Sequence, residues 1–395
     1  MFSFRTAGET HGPALVAIVE GLPAGLRVGA EAIDRELARR QVGYGRGDRM
    51  KIERDAVEIL SGVRFGRTMG GPVAMLLRNL DWANWQVKMA SGGTGRGVPR
   101  LDTARPGHAD LPGVLKHGHD DVRAVLERAS ARETAARVMA GALAKAFLGA
   151  LGAGIAGHVV SIGKARVDPA CAGNFGRALL SEKSALRMAD PDAARKAARA
   201  IDRAKSAGTS LGGVVEVIAR GIPPGLGSCA SWDLRLDGRL AHALMSIPAI
   251  KGVEVGGGIA LASLSGQEVH DEIFPGASAR NRLLGKYAVP FHRKTNRAGG
   301  LEGGMTNGEP VVARAAMKPI PTQGKALRTV TIGSWAPARA HRERSDVCAV
   351  PACSVVAEAM VAIVLADAFL RKFGGDSMRE IQYNYAGYLR RIAGG

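Results

Sequence analysis

The sequence predicts an α+β fold: a β-α-β sandwich built from a pseudo-duplicated strand–strand–helix module, with central helices between its sheets. Residues 8–26 and 208–226 superimpose without gaps at an offset of 200. Gly8, Gly12, Gly21, Pro23, Gly25 and Leu26 meet Gly208, Gly212, Gly221, Pro223, Gly225 and Leu226. Helical patterns fall between groups of strands instead of alternating with them, which favours α+β over a doubly wound sheet. A long helical pattern over 120–147 separates the related stretches, and an apolar one over 354–373 lies near the C-terminus. The expectation is one domain spanning 1–395, with halves of about 1–120 and 205–330 and a central helix over 120–150.

Each copy opens on an apolar run of strand length bounded by glycines, 14–19 and 214–218. The shared Gly-x-Pro-x-Gly-Leu is a turn signature, and helical patterns follow it over 30–40 and 234–245. Further strands are expected at 57–63 and 73–77 in the first half and at 253–255 and 259–264 in the second. Residues 309–317 and 327–332 also read as strands. An amphipathic surface helix is expected over 190–207, starting at Asp190-Pro191-Asp192, and 163–188 reads as an irregular excursion.

Composition narrows the function. A chain of 395 residues with 46% hydrophobic residues and 53 glycines suits a loop-rich globule with a sizeable core. A net charge of +18 calls for an anionic partner. Most lysines and arginines lie singly, without basic runs, and aromatic residues make up only 5%. Both features favour small anionic ligands over nucleic acid. Four scattered cysteines without a CxxC suggest reduced thiols. The first residues lack an apolar signal region, and the apolar stretch 355–370 is short for a bilayer span and carries Glu358 and Asp367. A soluble, cytoplasmic protein without a membrane segment is therefore expected.

Several segments carry candidate chemistry. His108 follows Arg105-Pro106-Gly107, a turn that can fix the ring's direction, and Arg128-Ala129-Ser130 sets an arginine beside small residues. Guanidinium forks suit phosphate and carboxylate, and small side chains leave room for a flat ligand. The repeat is broken at one telling point: His11 stands where the second copy has Leu211. Gly43–Gly47, flanked by Arg40 and Arg49 and containing Arg46, can gather donors on an anion or simply face water. The corresponding helix exit in the second copy, 246–252, is nearly apolar and includes Pro248 and Ala249. Lys318-Pro319-Ile320-Pro321-Thr322 offers donors on an extended backbone, and the glycine-rich stretch around Gly303 permits close approach to a ligand. Arg344-Ser345-Asp346 precedes the C-terminal helix, where it could bind and deprotonate or form a salt-bridged helix start. No grouping has metal-ligand spacing, and no P-loop, Rossmann fingerprint or Gly-x-Ser-x-Gly elbow is present.

Taken in order, Gly8-Glu9-Thr10-His11-Gly12, the arginine loop 43–49, 105–110, 128–134, Lys251-Gly252-Val253-Glu254, 303–308 and 344–350 closely resemble the signatures of the chorismate synthase family, across nearly the whole chain. Two departures stand out. Thr10 replaces a common serine and keeps its hydroxyl, and Pro248 stands where an amide residue is frequent.

The resemblance implies loss of phosphate from 5-enolpyruvylshikimate 3-phosphate to give chorismate, a redox-neutral elimination that needs reduced FMN. It places Arg128, Ala129, Ser130, Pro248, Ala249, Gly303, Lys318, Pro319, Ile320, Pro321, Thr322 and Arg344 against FMN. It sets Arg40 and Arg46 where the family contacts NADP, although both also suit a clamp on the substrate's anions together with Thr10, Arg49 and Arg105. His108 is expected to protonate the departing phosphate, His11 to keep the flavin in its reactive protonation state, and Asp346 to assist removal of the substrate proton. The resemblance further implies a homotetramer. The alternatives are an NADPH-dependent flavin reductase, alone or combined with the lyase, and more distantly a basic nucleic-acid-binding protein.

Overall fold

The computed structural model describes residues 1–46, 54–277, 283, 287–341 and 346–393. Its first half contains β1 (Ser3–Ala7), β2 (Ala14–Glu20), α1 (Ala30–Gln41), β3 (Val57–Ile59), the hairpin β4 (Val63–Arg64) and β5 (Arg67–Thr68), and β6 (Val73–Arg78). Helices α2 (Asp110–His117), α3 (Arg123–Ala129) and α4 (Thr134–Ala150) follow. The chain continues through β7 (Gly154–Ile162), β8 (Ala165–Arg166), α5 (Phe175–Leu180), α6 (Pro191–Ser206), β9 (Gly213–Arg220), α7 (Leu236–Met245) and β10 (Ile250–Val255). Next come α8 (Gly266–Val269), β11 (Ile273–Pro275), β12 (Phe291–Arg293), the hairpin β13 (Leu301–Glu302) and β14 (Met305–Thr306), and β15 (Val311–Met317). The described residues end with β16 (Arg328–Val330), β17 (Pro337–Arg339), α9 (Val350–Phe373) and α10 (Met378–Ile392).

Two antiparallel sheets organise this mixed fold. The first runs β1-β2-β6-β3, and the second runs β10-β15-β9-β7-β8. Read from the opposite edge, β7-β9-β15-β10 repeats the order of the first sheet. The turns after β2 and β9 correspond atom for atom. Leu26 N–H donates to Thr68 Oγ1 and that hydroxyl to Pro23 O, while Leu226 N–H donates to Thr306 Oγ1 and that hydroxyl to Pro223 O. A threonine from each hairpin thus closes each Gly-x-Pro-x-Gly-Leu turn.

Helix α4 lies on the first sheet and α9 on β7 and β9 of the second, and the two helices pack against each other. Their backbones meet at Gly141, where an added Cβ would fall 2.2 Å from the Ala359 side chain. Helix α9 is long and apolar enough by composition to cross a membrane, yet it is buried within the fold. Its two acids are fully engaged. Glu358 is met by Lys145, Arg39 and Arg187, and Asp367 by Arg239, Arg371 and the Phe2 N–H.

Some expectations require correction. The helix expected over 120–147 breaks at Ser130, whose backbone is extended (φ −70°, ψ 148°) before a tight turn over Ala131–Glu133. Its hydroxyl accepts the Arg132 N–H, a local bond that competes with helix continuation. The strand expected at 259–264 is a 3₁₀ segment, Gly258–Ser263. Gly256 and Gly258, both at φ 58°, turn the chain away at the end of β10. Residues 57–63 split because Gly62 turns at φ 81°. The second half's strand pattern begins at β7, well before residue 205. The C-terminal helix begins at Val350, and α10 follows it beyond a Ser377–Glu380 capping box.

Candidate active site

A cavity of about 530 Å³ opens beside the two inner helices. Its polar wall comes from the first half, with Thr10 and His11 from the turn before β2, Arg40 from the end of α1, and Arg46 beyond it. Arg105 and His108 come from the turn before α2, and Arg123, Ser130 and Arg132 from the broken helix. The lining from the rest of the chain is mostly apolar, with Thr322, His341 and Asp346 as its polar members. Ile247 and Pro248 follow α7, Met317 ends β15, Ile320 and Pro321 lie just beyond, and Val356 belongs to α9.

The two histidines are held by different contacts. His11 Nδ1 lies 2.9 and 3.0 Å from the two carboxylate oxygens of Glu127, and its backbone N–H donates to the same group at 2.9 Å. Thr10 adds its N–H and hydroxyl to Glu127 O. The His11 ring stacks on Trp85 at 3.8 Å, and Arg123 sits over that indole while donating to Glu127. Burial pushes the Glu127 carboxyl up, but the His11 hydrogen bonds and the Arg123 charge hold it below the usual range.

His108 Nδ1 faces Asp110 Oδ1 at 2.5 Å. Asp110 is fully buried at the start of α2 and also receives Arg105 Nε at 2.8 Å. Burial opposes ionisation of Asp110, yet hydrogen bonds from His108 and Arg105 hold its carboxyl well below the usual range. Arg105 reaches Thr322 Oγ1 at 3.0 Å, and Lys318 donates to Gly107 O, so the 318–322 segment braces the His108 turn.

Two of the lining arginines share one buried acid: Asp55 bridges Arg40 at 2.9 Å and Arg132 at 2.6 Å, and Arg132 also donates to Asn79. Burial lowers the Arg40 guanidinium to about 10 against the pull of Asp55, with Arg132 and Arg46 adding like-charge repulsion. Among the described residues, the buried Arg40 Nε has no hydrogen-bond partner. Arg46 pairs with Asp346 at 2.9 Å. Cys353 also lines the cavity, with its thiol pushed up to about 12 by burial, too high for a reactive thiolate at neutral pH.

The structure thus brings together Thr10, His11, Arg40, Arg46, Arg105, His108, Ser130, Pro248, Ile320, Pro321, Thr322 and Asp346. Ala129, Ala249, Lys318 and Pro319 flank this group without lining the cavity. Arg128 turns away, donating to Thr6 and lining a separate groove with Trp232 and His242. Gly303 sits exposed at the tip of the β13–β14 hairpin, also outside the cavity. Arg49 and Arg344 lie outside the described residues. Sequence reasoning missed Asp55, Asn79, Trp85, Arg123, Glu127 and His341 as site residues and gave no role to Asp110 and Arg132 within the motifs 105–110 and 128–134. Helical spacing would put Arg128 and Arg132 on one face, but the break at Ser130 sends them to different grooves.

A cavity with guanidinium groups on one wall, apolar side chains on the other and two carboxylate-backed histidines defines an enzyme acting on a small polyanion by proton transfer. The chorismate synthase family model matches residues 2–370. The chorismate synthase of Geobacter sulfurreducens is 53% identical, with 99% of each chain covered, and that of Desulforudis audaxviator is 56% identical, covering 99% of this chain and 98% of that one. A solved structure described as a chorismate synthase crystal structure is 42% identical, with a TM-score of 0.79 over 100% of this chain and 99% of the other. The chain belongs to the chorismate synthase family. Its activity is that of a carbon–oxygen lyase, conversion of 5-enolpyruvylshikimate 3-phosphate to chorismate and phosphate.

Proposed function

We propose that this reaction takes place in the histidine–arginine cavity with reduced FMN. The convergence of His11, His108, Asp346 and the arginines opposite an apolar wall carries the reading. Ile320, Pro321 and Val356 suit one side of a flat ring, and the unpartnered Arg40 Nε leaves a donor for an anionic group. Ser130, Pro248, Ala249, Lys318–Thr322, Arg344, Arg128, Ala129 and Gly303 are the proposed flavin contacts. Because Arg128 and Gly303 lie outside this cavity, they would meet flavin through a neighbouring subunit of a homotetramer. Reduced flavin, when bound, supplies electron density to the allylic centre as phosphate departs.

The chain's own residues account for binding and proton transfer. Arg40, Arg46, Arg105 and Arg49 bind the phosphate and carboxylates, with Thr10 adding a hydroxyl. His108 donates a proton to the leaving phosphate oxygen as the C–O bond breaks. Asp346 assists removal of the substrate proton, and His11 maintains the protonation state of the flavin's polar edge. The buried position of Arg40, paired with an Asp55 that it shares with Arg132, favours anion binding over NADP contact for that residue. The proposed architecture is one domain, a β-α-β sandwich made from a duplicated strand–strand–helix module, acting in the cytoplasm.

Anaerobic incubation with pre-reduced FMN and substrate, without NADPH, tests this function. Chorismate and phosphate are expected in equal amounts. No product with reduced FMN alone would defeat the reading, while product from oxidised FMN plus NADPH would identify an additional flavin reductase activity.

A further inference from the structure

Two buried carboxylates stand behind the two histidines. We propose that Glu127 and Asp110 are positioning residues that hold the proton on Nδ1 of His11 and His108, so that each ring exchanges protons with the reaction through Nε2. This rests on the reading of the cavity given above. The geometry is direct. Both Glu127 oxygens lie within 3.0 Å of His11 Nδ1, and Asp110 Oδ1 lies 2.5 Å from His108 Nδ1. The carboxylate side chains are only 1% and 0% exposed. An ionised carboxylate can only accept, so the nitrogen facing it must donate. Arg105 Nη2 also lies 3.0 Å from His108 Nδ1, but Asp110 Oδ1 is closer to that nitrogen, and the same Nη2 donates to Asp110 Oδ1 at 3.1 Å.

The surroundings keep those carboxylates ionised. Arg123 donates to Glu127 at 3.1 Å, and Arg105 donates to Asp110 through Nε and Nη2. Around His11 the further groups include the Trp85 ring, with Arg123 and Lys88 over that ring, and Thr10, which is tied to Glu127 O. Around His108 they are Arg105, Thr322 and Lys318, the last two acting through Arg105 and Gly107 O respectively. Each carboxylate is therefore shared between one histidine and one arginine of the cavity wall, a pattern that fixes ring orientation as well as tautomer.

The two pairs are built differently. Asp110 is two residues from His108 and belongs to the same turn, whereas Glu127 is 116 residues from His11 and is delivered by α3. Glu127 also anchors the His11 backbone N–H, so its removal frees both the ring and the loop. In the proposed proton transfer, the His108 Nε2–H bond breaks as an O–H bond forms on the departing phosphate. The ring is left neutral with its remaining proton on Nδ1 against Asp110.

Nitrogen NMR of the protein labelled with ¹⁵N-histidine tests this without flavin or substrate, using His11→Asn and His108→Asn to identify the signals. In the wild-type protein both neutral rings should carry their proton on Nδ1. Glu127→Gln should alter the His11 signals alone, and Asp110→Asn the His108 signals alone. Each should lower kcat by about 10²-fold with little change in KM, and Glu127→Asp, which keeps the charge, should recover part of the loss. Wild-type rings with Nε2 protonated in the neutral form would overturn the proposal. So would unchanged ring signals and kcat in both amide variants. The NMR result stands apart from the wild-type turnover assay, so the positioning roles and the reaction can fail separately.

Discussion

The loops preceding β2 and β9 share a glycine frame and do different work. In the first, Thr10 and His11 face the cavity and are tied to Glu127. In the second, Ser210 donates to Ile320 O, Thr209 to Gln323, and Leu211 N–H to Val347 O. The first loop presents chemistry, while the second braces the segments that form the opposite wall. The exits of α1 and α7 repeat the contrast, offering Arg40 and Arg46 from one half and Ile247 and Pro248 from the other. The matching helix exits thus line one cavity differently, one polar and the other apolar.

The comparison can be broken at either loop. His11→Ala and His108→Ala should lower kcat by roughly 10²–10⁴-fold, measured anaerobically with reduced FMN, while FMN affinity changes little. Asp55→Ala should cost about 3–5 kcal/mol in denaturant unfolding because it leaves Arg40 and Arg132 buried without their shared counter-charge. On the bracing side, Ser210→Ala should cost about 1 kcal/mol and weaken FMN binding more than it lowers kcat, as judged by flavin titration beside the assay.

The contact between the halves should respond to acid. Burial opposes ionisation of Glu358, but Lys145, Arg39 and Arg187 hold its carboxyl at about 2 in place of 4.5. A carboxylate depressed by folding stabilises above its unfolded value, and that contribution falls away as pH drops from about 4.5 toward 2. Glu358→Gln should therefore be less stable near neutral pH and should show a flatter loss of stability across that interval. Equal acid profiles for the variant and the wild type would show that this cluster does not link the halves energetically.

Much of this architecture was legible because the repeat preserved its turn glycines and prolines, including those closed by Thr68 and Thr306. His11 stood out against Leu211 for the same reason, and His108 through its Pro-Gly turn. The break at Ser130 was not legible, because alanine-rich helical periodicity continues on both sides while a single side-chain bond ends the helix. Asp55, Asn79 and Glu127 gave no sign of their roles, since their partners Arg132 and His11 are distant in sequence and meet them only after the sheets and helices assemble.

A crystal structure with oxidised FMN and 5-enolpyruvylshikimate 3-phosphate tests the central claim most directly. The substrate phosphate is expected within hydrogen-bonding distance of His108 and the flavin ring against Ile320 and Val356. Both ligands lying away from the His11–His108 cavity would contradict it.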